Sequence, residues 1–357
     1  MKKPAPASQK PPPRVTLKQI AKTARVSVMT VSYALRGSSE VSLRQRERIR
    51  KLAAKLGYRP DPLLTHLMAH LRTGRSTPQT SENLALLSTY APPYVQQLTA
   101  GAAARANELG YALDRIDLSH PPDKATLTRS LLARGIAGLI LTPANAPGPC
   151  CHLLDWTQFS TTAIGYSFTD LAANRVVTHH FENARRTFAL LHERGFRRIG
   201  LAMTPDMEFR TNHSYSGAYC RLGPIDGLTA LPVLILDGEN RRLAVPRWFA
   251  RWKPDALVLA NSNHFHESIR PNIPRSVLRK IAFACLDYSP ADAIAGIDQC
   301  FEQIGAKAVD DVVNQILRGE RGLRPSPTAT MLTGQWREDG GLYPSLAANN
   351  NKTPARP

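Results

Sequence analysis

Two periodicities divide the chain. Between Thr16 and Leu56 apolar residues recur at helical spacing in three short runs, and from about Asn83 onward they form short continuous blocks separated by amphipathic stretches. In the first run Leu17, Ile20, Ala21 and Ala24 fall on one helical face behind Thr16, a suitable N-cap. In the second, Ser27 caps a helix whose inward side is Val31, Ala34 and Leu35, and Gly37-Ser38-Ser39 breaks it. In the third, Ser42 is the expected cap, with Gln45 completing a capping box, and Ile49, Leu52, Ala53 and Leu56 line the core face before Gly57. Small alanines at 21, 24 and 34 permit close helix contact. Three short helices, the first two separated by a tight turn, predict a helix-turn-helix unit with a supporting helix.

Beyond residue 83 the apolar blocks LALLST (84 to 89), YALDRI (111 to 116), IAGLILT (136 to 142) and TTAIGY (161 to 166) predict strands with helices between them. A second series follows: RIGLAM (198 to 203), LPVLILD (231 to 237), PDALVLAN (254 to 261) and RKIAFACLD (279 to 287). Such alternation means parallel sheets covered by helices, and two series mean two α/β lobes with a cleft at the carboxyl ends of their strands. The segment 204 to 216 reads as a loop rich in aromatic and polar groups.

Charge sharpens the first region. The net charge is +18, and residues 1 to 76 hold +14 of it, with seventeen Lys or Arg against Glu40, Glu47 and Asp61. No acid occurs from Thr16 to Ser39. A field concentrated on one small end calls for nucleic acid or an anionic surface, and helices this short, with apolar faces spent on one another, suit nucleic acid better. On the second helix Val28, Met29, Thr30, Ser32, Tyr33 and Arg36 cannot all face inward. An apolar side chain there meets a thymine methyl, hydroxyls reach phosphate, and Arg25, Arg36, Lys18 and Lys22 supply charge around the rim.

The chemistry of catalysis has no counterpart here. GxGxxG behind the first strand, a Walker loop, GxSxG and HExxH are all missing, so the expected catalytic set is none and the chain reads as a non-enzyme. His264 and His266 are spaced i, i+2, which does not align two imidazoles on a helix, so no metal site is expected; Cys150-Cys151 read as loop thiols. No cofactor is implied. No apolar run suits a membrane span, the N-terminal arm lacks an apolar core for a signal peptide, and five scattered cysteines fit a reducing, cytoplasmic setting.

The residues TLKQIAKTARVSVMTVSYALRG and VSLRQRERIRKLAAKLGYRP resemble the DNA-binding headpiece of the LacI-type (lactose and galactose repressor) family, and the resemblance extends over residues 15 to 337. It implies an N-terminal all-α helix-turn-helix headpiece with a hinge helix, followed by a bilobal α/β effector domain of periplasmic-binding-protein type. It also implies that the second helix lies in the major groove, with Val28, Met29 and Tyr33 reading bases. Thr16, Lys18, Lys22, Arg25, Ser27, Thr30, Ser32 and Arg36 would contact the DNA backbone. Arg25 stands where the family keeps a turn glycine and Arg36 where it keeps Asn, which calls the usual turn geometry into question. Apolar Val28 and Met29 replace polar readers, favouring thymine-methyl or shape readout.

The family's hinge helix wedges a leucine into the minor groove. Counting from Pro60 places it at Leu67, and counting back from LRTGRS places it at Leu71. In the larger domain RRIGLAM, PDALVLANSN, IAFACLDY and GIDQCFEQIGAKAVDDVVNQIL stand in the family's order. The resemblance then assigns effector contacts to Tyr90 and Tyr94 after the first strand, to Asn261 and to Asp287. The family's arginine before Gly217 is Ser214 here, with Arg210 one turn upstream as its substitute, and the aspartate after Asn261 is Ser262.

The expected organisation is a basic, proline-rich disordered arm (1–13), a headpiece (14–60), a hinge helix and linker (61–76), a bilobal effector and dimerisation domain (80–337) and a disordered tail (341–357). The expected function is a transcriptional regulator, a repressor, that binds double-stranded pseudopalindromic operator DNA as a homodimer under control of a small, sugar-like effector. The alternative is a ligand-binding sensor of periplasmic-binding-protein type whose headpiece no longer binds DNA specifically.

Overall fold

The computed structural model describes residues 16–36, 41–56, 58, 83–221, 231–238, 241–339 and 341–343. The chain divides into two compact units, residues 1–78 and 79–357. The expected arm, the hinge segment with Leu67 and Leu71, and residues 344–357 of the expected tail lie outside the described residues.

The first unit contains helices α1 (Leu17–Ala24), α2 (Val28–Arg36) and α3 (Leu43–Lys55). Ile20, Val31, Ala34 and Ile49 are fully buried at its centre, with Leu17, Leu35, Leu52 and Leu56 packed around them. The capping box forms at the start of α1 and not α3: the Gln19 amide donates to the Thr16 hydroxyl at 3.4 Å, and the Thr16 amide donates to Gln19 Oε1 at 2.7 Å. Ser42 makes no side-chain cap. Its φ is −59°, whereas Thr16 at −104° has the more extended backbone that turns a hydroxyl back toward the third amide. Backbone bonds from Gln45 and Arg46 to the Ser42 carbonyl begin α3 instead.

Arg25 ends α1 at φ 55°, ψ 46°, so the turn keeps a left-handed residue even though arginine occupies it. The Val26 amide reaches back to the Ala21 carbonyl at 3.1 Å, and Arg48 of α3 donates to the Ala24 carbonyl. Both bonds satisfy acceptors that a helix end leaves open.

The second unit is two α/β lobes. The first lobe holds a six-stranded sheet in the order β11-β5-β4-β3-β1-β2, all parallel. Its strands are β1 (Asn83–Ser88), β2 (Leu113–Asp117), β3 (Ile136–Leu141), β4 (Ser160–Ile164), β5 (Asn174–Thr178) and β11 (Ala329–Leu332). Helices α4 (Pro93–Glu108), α5 (Lys124–Ala133) and α11 (Phe301–Arg318) cover it. Alternation along β1 explains the two-sided core: Leu84 and Leu86 pack under α4 and α11, while Ala85 and Leu87 face the α5 side. Where α4 meets α11 no side chain fits, since a Cβ on Gly101 would lie 1.9 Å from the Glu302 carbonyl oxygen and one on Gly305 would lie 2.0 Å from that of Leu98.

The second lobe holds β6 (Ile199–Met203), β7 (Leu234–Ile235), β8 (Ala256–Leu259), β9 (Ala282–Cys285), β10 (Gly296–Asp298) and β12 (Gln335–Arg337), in the order β12-β10-β9-β8-β6-β7. Its helices are α6 (His180–Glu193), α7 (Pro205–Arg210), α8 (Ser214–Cys220), α9 (Arg241–Trp252) and α10 (Arg275–Leu278). Strand β12 runs antiparallel to β10, a departure from uniformly parallel sheets. The stretch 204 to 216 is not a loop: it supplies α7 and the start of α8, with Pro205 opening the former.

The chain passes between the lobes three times, from β5 to α6, from β10 to α11, and from β11 to β12. At these passages the Thr178 hydroxyl donates to Gln299 Oε1 at 3.0 Å, and the Gly334 amide donates to Asn183 Oδ1 at 3.0 Å.

Candidate functional site

Two surfaces carry the expected site residues, one in each unit. In the first unit the Ser27 hydroxyl accepts from the Thr30 amide at 3.0 Å and pairs with the Thr30 hydroxyl at 2.8 Å, which fixes the start of α2. This cap presents Val28 and Met29 outward, 41% and 64% exposed. Ser32 and Tyr33 are half-buried, and Tyr33 packs against the core, so the third expected base reader also serves as support. Lys18 and Lys22 on α1 and Arg25 in the turn are exposed. Thr16 is exposed with its hydroxyl engaged in the capping box. Arg36 belongs to α2, but its side chain lies outside the described residues. Leu43, 66% exposed at the start of α3, is an apolar surface residue that periodicity did not single out.

In the second unit a cavity of about 110 Å³ opens between the lobes. Tyr94, Arg210, Asn261 and Asp287 all line it, and Tyr90 stands behind them bonded to Arg210. Position follows from topology. Tyr90 and Tyr94 come from the loop after β1 and the first turn of α4, Arg210 ends α7 after β6, and Asn261 and Asp287 follow β8 and β9. All are at carboxyl ends of parallel strands, where such sheets bind ligands.

Arg210 of the second lobe donates through Nη2 to the hydroxyls of both Tyr90, at 3.1 Å, and Tyr94, and these two hydroxyls also pair with each other. The guanidinium lies 5.6 Å from the centre of the Tyr94 ring. Burial raises the pKa of the Tyr94 phenol, so it stays neutral.

Asn261 Nδ2 donates to Asp287 Oδ2 at 3.0 Å, while Asn261 Oδ1 accepts from the Asn263 amide at 2.8 Å. The amide group is thereby committed at its oxygen and keeps one N–H to offer. Burial lifts the pKa of Asp287 to about 7, against the lowering pull of Arg210. Asp287 can therefore present either an acceptor pair or a donor near neutrality.

Sequence reasoning did not assign several polar members of this wall to the effector. His180, Tyr215 and Gln299 line the cavity, with His180 Nδ1 3.2 Å from the Tyr215 hydroxyl and Gln299 donating to the Leu286 carbonyl at 2.8 Å. Burial lowers the His180 pKa to about 3, which keeps the imidazole neutral. His180 and Gln299 sit just past β5 and β10, strands absent from the apolar blocks, and only recognition of the passages between lobes would have found them.

His264 is buried, its pKa lowered to about 4 by burial, and His266 Nε2 lies 3.8 Å from Asp292. Among the described residues no cluster of His, Cys, Asp or Glu suits a metal ion. Among the same residues no helix is long and apolar enough to cross a membrane.

A helix-turn-helix unit and a bilobal α/β unit with a cleft at its strand ends define a chain built from a headpiece and a cleft domain. Residues 16–61 match the family model for bacterial regulatory proteins of the lacI family. That match covers the helical unit of the chain. Among curated relatives the chain is 24% identical over 197 residues to the HTH-type transcriptional repressor CytR of Escherichia coli (strain K12), covering 54% of each chain. It is 30% identical over 143 residues to the HTH-type transcriptional regulator Rv3575c of Mycobacterium tuberculosis, covering 40% of this chain and 39% of that one. The chain thus spans about half the length, or less, of the curated relatives it matches. Its fold is similar to that of a transcriptional regulator CelR–cellobiose complex, with TM-score 0.57, 19% identity and coverage of 92% and 100%. It is likewise similar to the Lac repressor dimer bound to operator and the anti-inducer ONPF, with TM-score 0.54, 18% identity and coverage of 93% and 100%.

Proposed function

We propose that the protein is a sequence-specific DNA-binding transcriptional regulator, a repressor, that reads a pseudopalindromic operator as a homodimer and answers to a small hydroxylated effector in the interlobe cleft. The observation that carries this reading is the exposed, acid-free edge of α2, where Val28 and Met29 stand out from a small unit that holds most of the chain's net charge. An apolar edge in a unit that also exposes Lys18, Lys22 and Arg25 suits thymine methyls flanked by phosphates. One headpiece reads only a half-site, hence the dimer. The Lac repressor structure contains operator DNA and the CelR structure contains cellobiose, which supports the same two ligand classes here.

In mechanism, an effector that binds one lobe arrangement better than another shifts their populations, and operator affinity changes by the same coupling energy. The Asn261–Asp287 pair supplies hydroxyl partners, and Arg210 bridges to Tyr90 and Tyr94 of the opposite lobe. The chain is in this reading a regulator and not an enzyme. Unbiased selection of bound DNA by the purified chain is the test, with expected recovery of a two-fold symmetric sequence. Retention that ignores DNA sequence would instead favour a sensor with a headpiece that has lost specific readout.

A further inference from the structure

The arginine of the cleft directs its hydrogen bonds to neutral groups. Arg210 is largely buried, its side chain 21% exposed, yet its hydrogen-bond partners are two neutral phenols. The nearest carboxylate, Asp206, lies 3.9 Å away with its own side chain 49% exposed. A second guanidinium stands behind the opposite wall. Arg175 donates to the carbonyls of Gly165, Phe168 and Leu171 at 2.9, 2.7 and 3.0 Å, and Gly165 borders the cavity. Carbonyl dipoles solvate that charge without cancelling it, and arginine does not shed its proton. One carboxylate lines the cavity, Asp287, and burial makes it a weak acid. Among the described residues lining the cavity, Arg210 is the one guanidinium and Asp287 the one carboxylate, with Arg175 standing behind one wall and Asp292 and Asp298 near Asp287.

The volume adds a second constraint. About 110 Å³ falls below the roughly 300 Å³ at which small-molecule sites usually begin. The contacts among Arg210, Tyr90 and Tyr94 close part of the space, and a ligand gains room by breaking them. A neutral hydroxyl would exchange one weak acceptor for another. An anionic oxygen pair would exchange two neutral acceptors for two charged ones, in the bidentate geometry a guanidinium favours with carboxylate or phosphate.

We propose that the cleft takes a small hydroxylated ligand bearing one anionic group, a carboxylate or a phosphate, and that this group replaces the Tyr90 and Tyr94 hydroxyls on Arg210. The inference rests on the cleft being the effector site and names the chemistry of its effector. The hydroxyl-bearing end faces Asn261 and Asp287, and loss of the phenol contacts removes a bond that joins the two lobes.

The test uses the full chain in titration calorimetry and thermal unfolding, with glucose, glucuronate, glucose 6-phosphate and inorganic phosphate at matched ionic strength. The expected result is that an acid-bearing sugar binds at least about tenfold tighter than glucose, and that inorganic phosphate raises the unfolding midpoint. Arg210→Gln removes both effects, and Tyr94→Phe, which frees the guanidinium from one phenol, strengthens them. Preference for glucuronate or for glucose 6-phosphate tells carboxylate from phosphate. Glucose binding as tightly as its acidic counterparts, or Arg210→Gln weakening all probes alike, overturns the inference and leaves the effector site standing. No response to any of the four probes overturns both.

Discussion

Arg210 of the second lobe donates a hydrogen bond of 3.1 Å to the hydroxyl of Tyr90 on the first, so the lobes are joined at the cleft by their own side chains. Arg210 also donates to the Tyr94 hydroxyl, so two phenols of the first lobe hold one guanidinium of the second. Replacing Tyr90 and Tyr94 together by Phe keeps the rings and deletes both acceptors. Unfolding in urea should then lose about 1–2 kcal/mol, and an unchanged midpoint would show that water replaces the phenols at no cost.

The edge of α2 separates contact from charge. Met29→Ala removes an exposed side chain without altering the capping bonds of Ser27 and Thr30. Affinity for the selected operator should fall by about 1 kcal/mol, while the slope of log K against log salt stays the same. A changed slope would place Met29 among residues that position phosphate contacts.

Arg25 is the opposite case. Its φ of 55° suits glycine, so Arg25→Gly should leave headpiece stability within about 1 kcal/mol of the parent. The salt slope should drop by about 0.9, the value of one phosphate contact. Arg25→Val keeps the charge loss but adds a β-branched residue in a left-handed position, and its helical signal should melt at lower temperature. Equal melting of the two variants would mean the turn relaxes to another conformation.

Asp287 predicts a pH signature. Its folded pKa, raised to about 7 by burial, lies above the unfolded value near 3.9. The stabilising proton is thus fully held below about pH 4, and its contribution is lost as pH rises through 7. His180, lowered to about 3, acts with opposite sign, because its stability contribution fades as pH falls below about 6.5. The informative quantity is therefore the difference between Asp287→Asn and the parent. The variant should gain about 4 kcal/mol relative to the parent between pH 4 and 8; a constant difference across that range would mean Asp287 is ionised throughout.

The headpiece was the most legible part of the chain because helical periodicity, caps and charge act locally. Ile20, Val31 and Ile49 are where their spacing puts them, fully buried. The exchange of capping roles between Thr16 and Ser42 was not legible, since both are hydroxyl residues three positions before a Gln and only the backbone angle distinguishes them. In the larger unit the apolar blocks announced eight strands, yet β5, β10, β11 and β12 escaped. These strands are short or carry polar and exposed residues, as at Arg175, Asp298 and Gln335. Their order is set by long-range pairing that no local pattern encodes. Arg210 was placed by its distance from a missing family arginine; its phenol partners, 116 and 120 residues away in sequence, could be seen only in the fold.

The three passages of the chain between lobes also limit how the molecule can be taken apart. The first lobe is assembled from residues on both sides of the second, and the second takes its last strand from beyond α11. Neither lobe is a continuous stretch that one pair of cuts could excise or graft, whereas the helical unit is a single uninterrupted segment ahead of both. New combinations of reading head and cleft can arise by one crossover in the coding sequence, but a change of lobe must be made residue by residue.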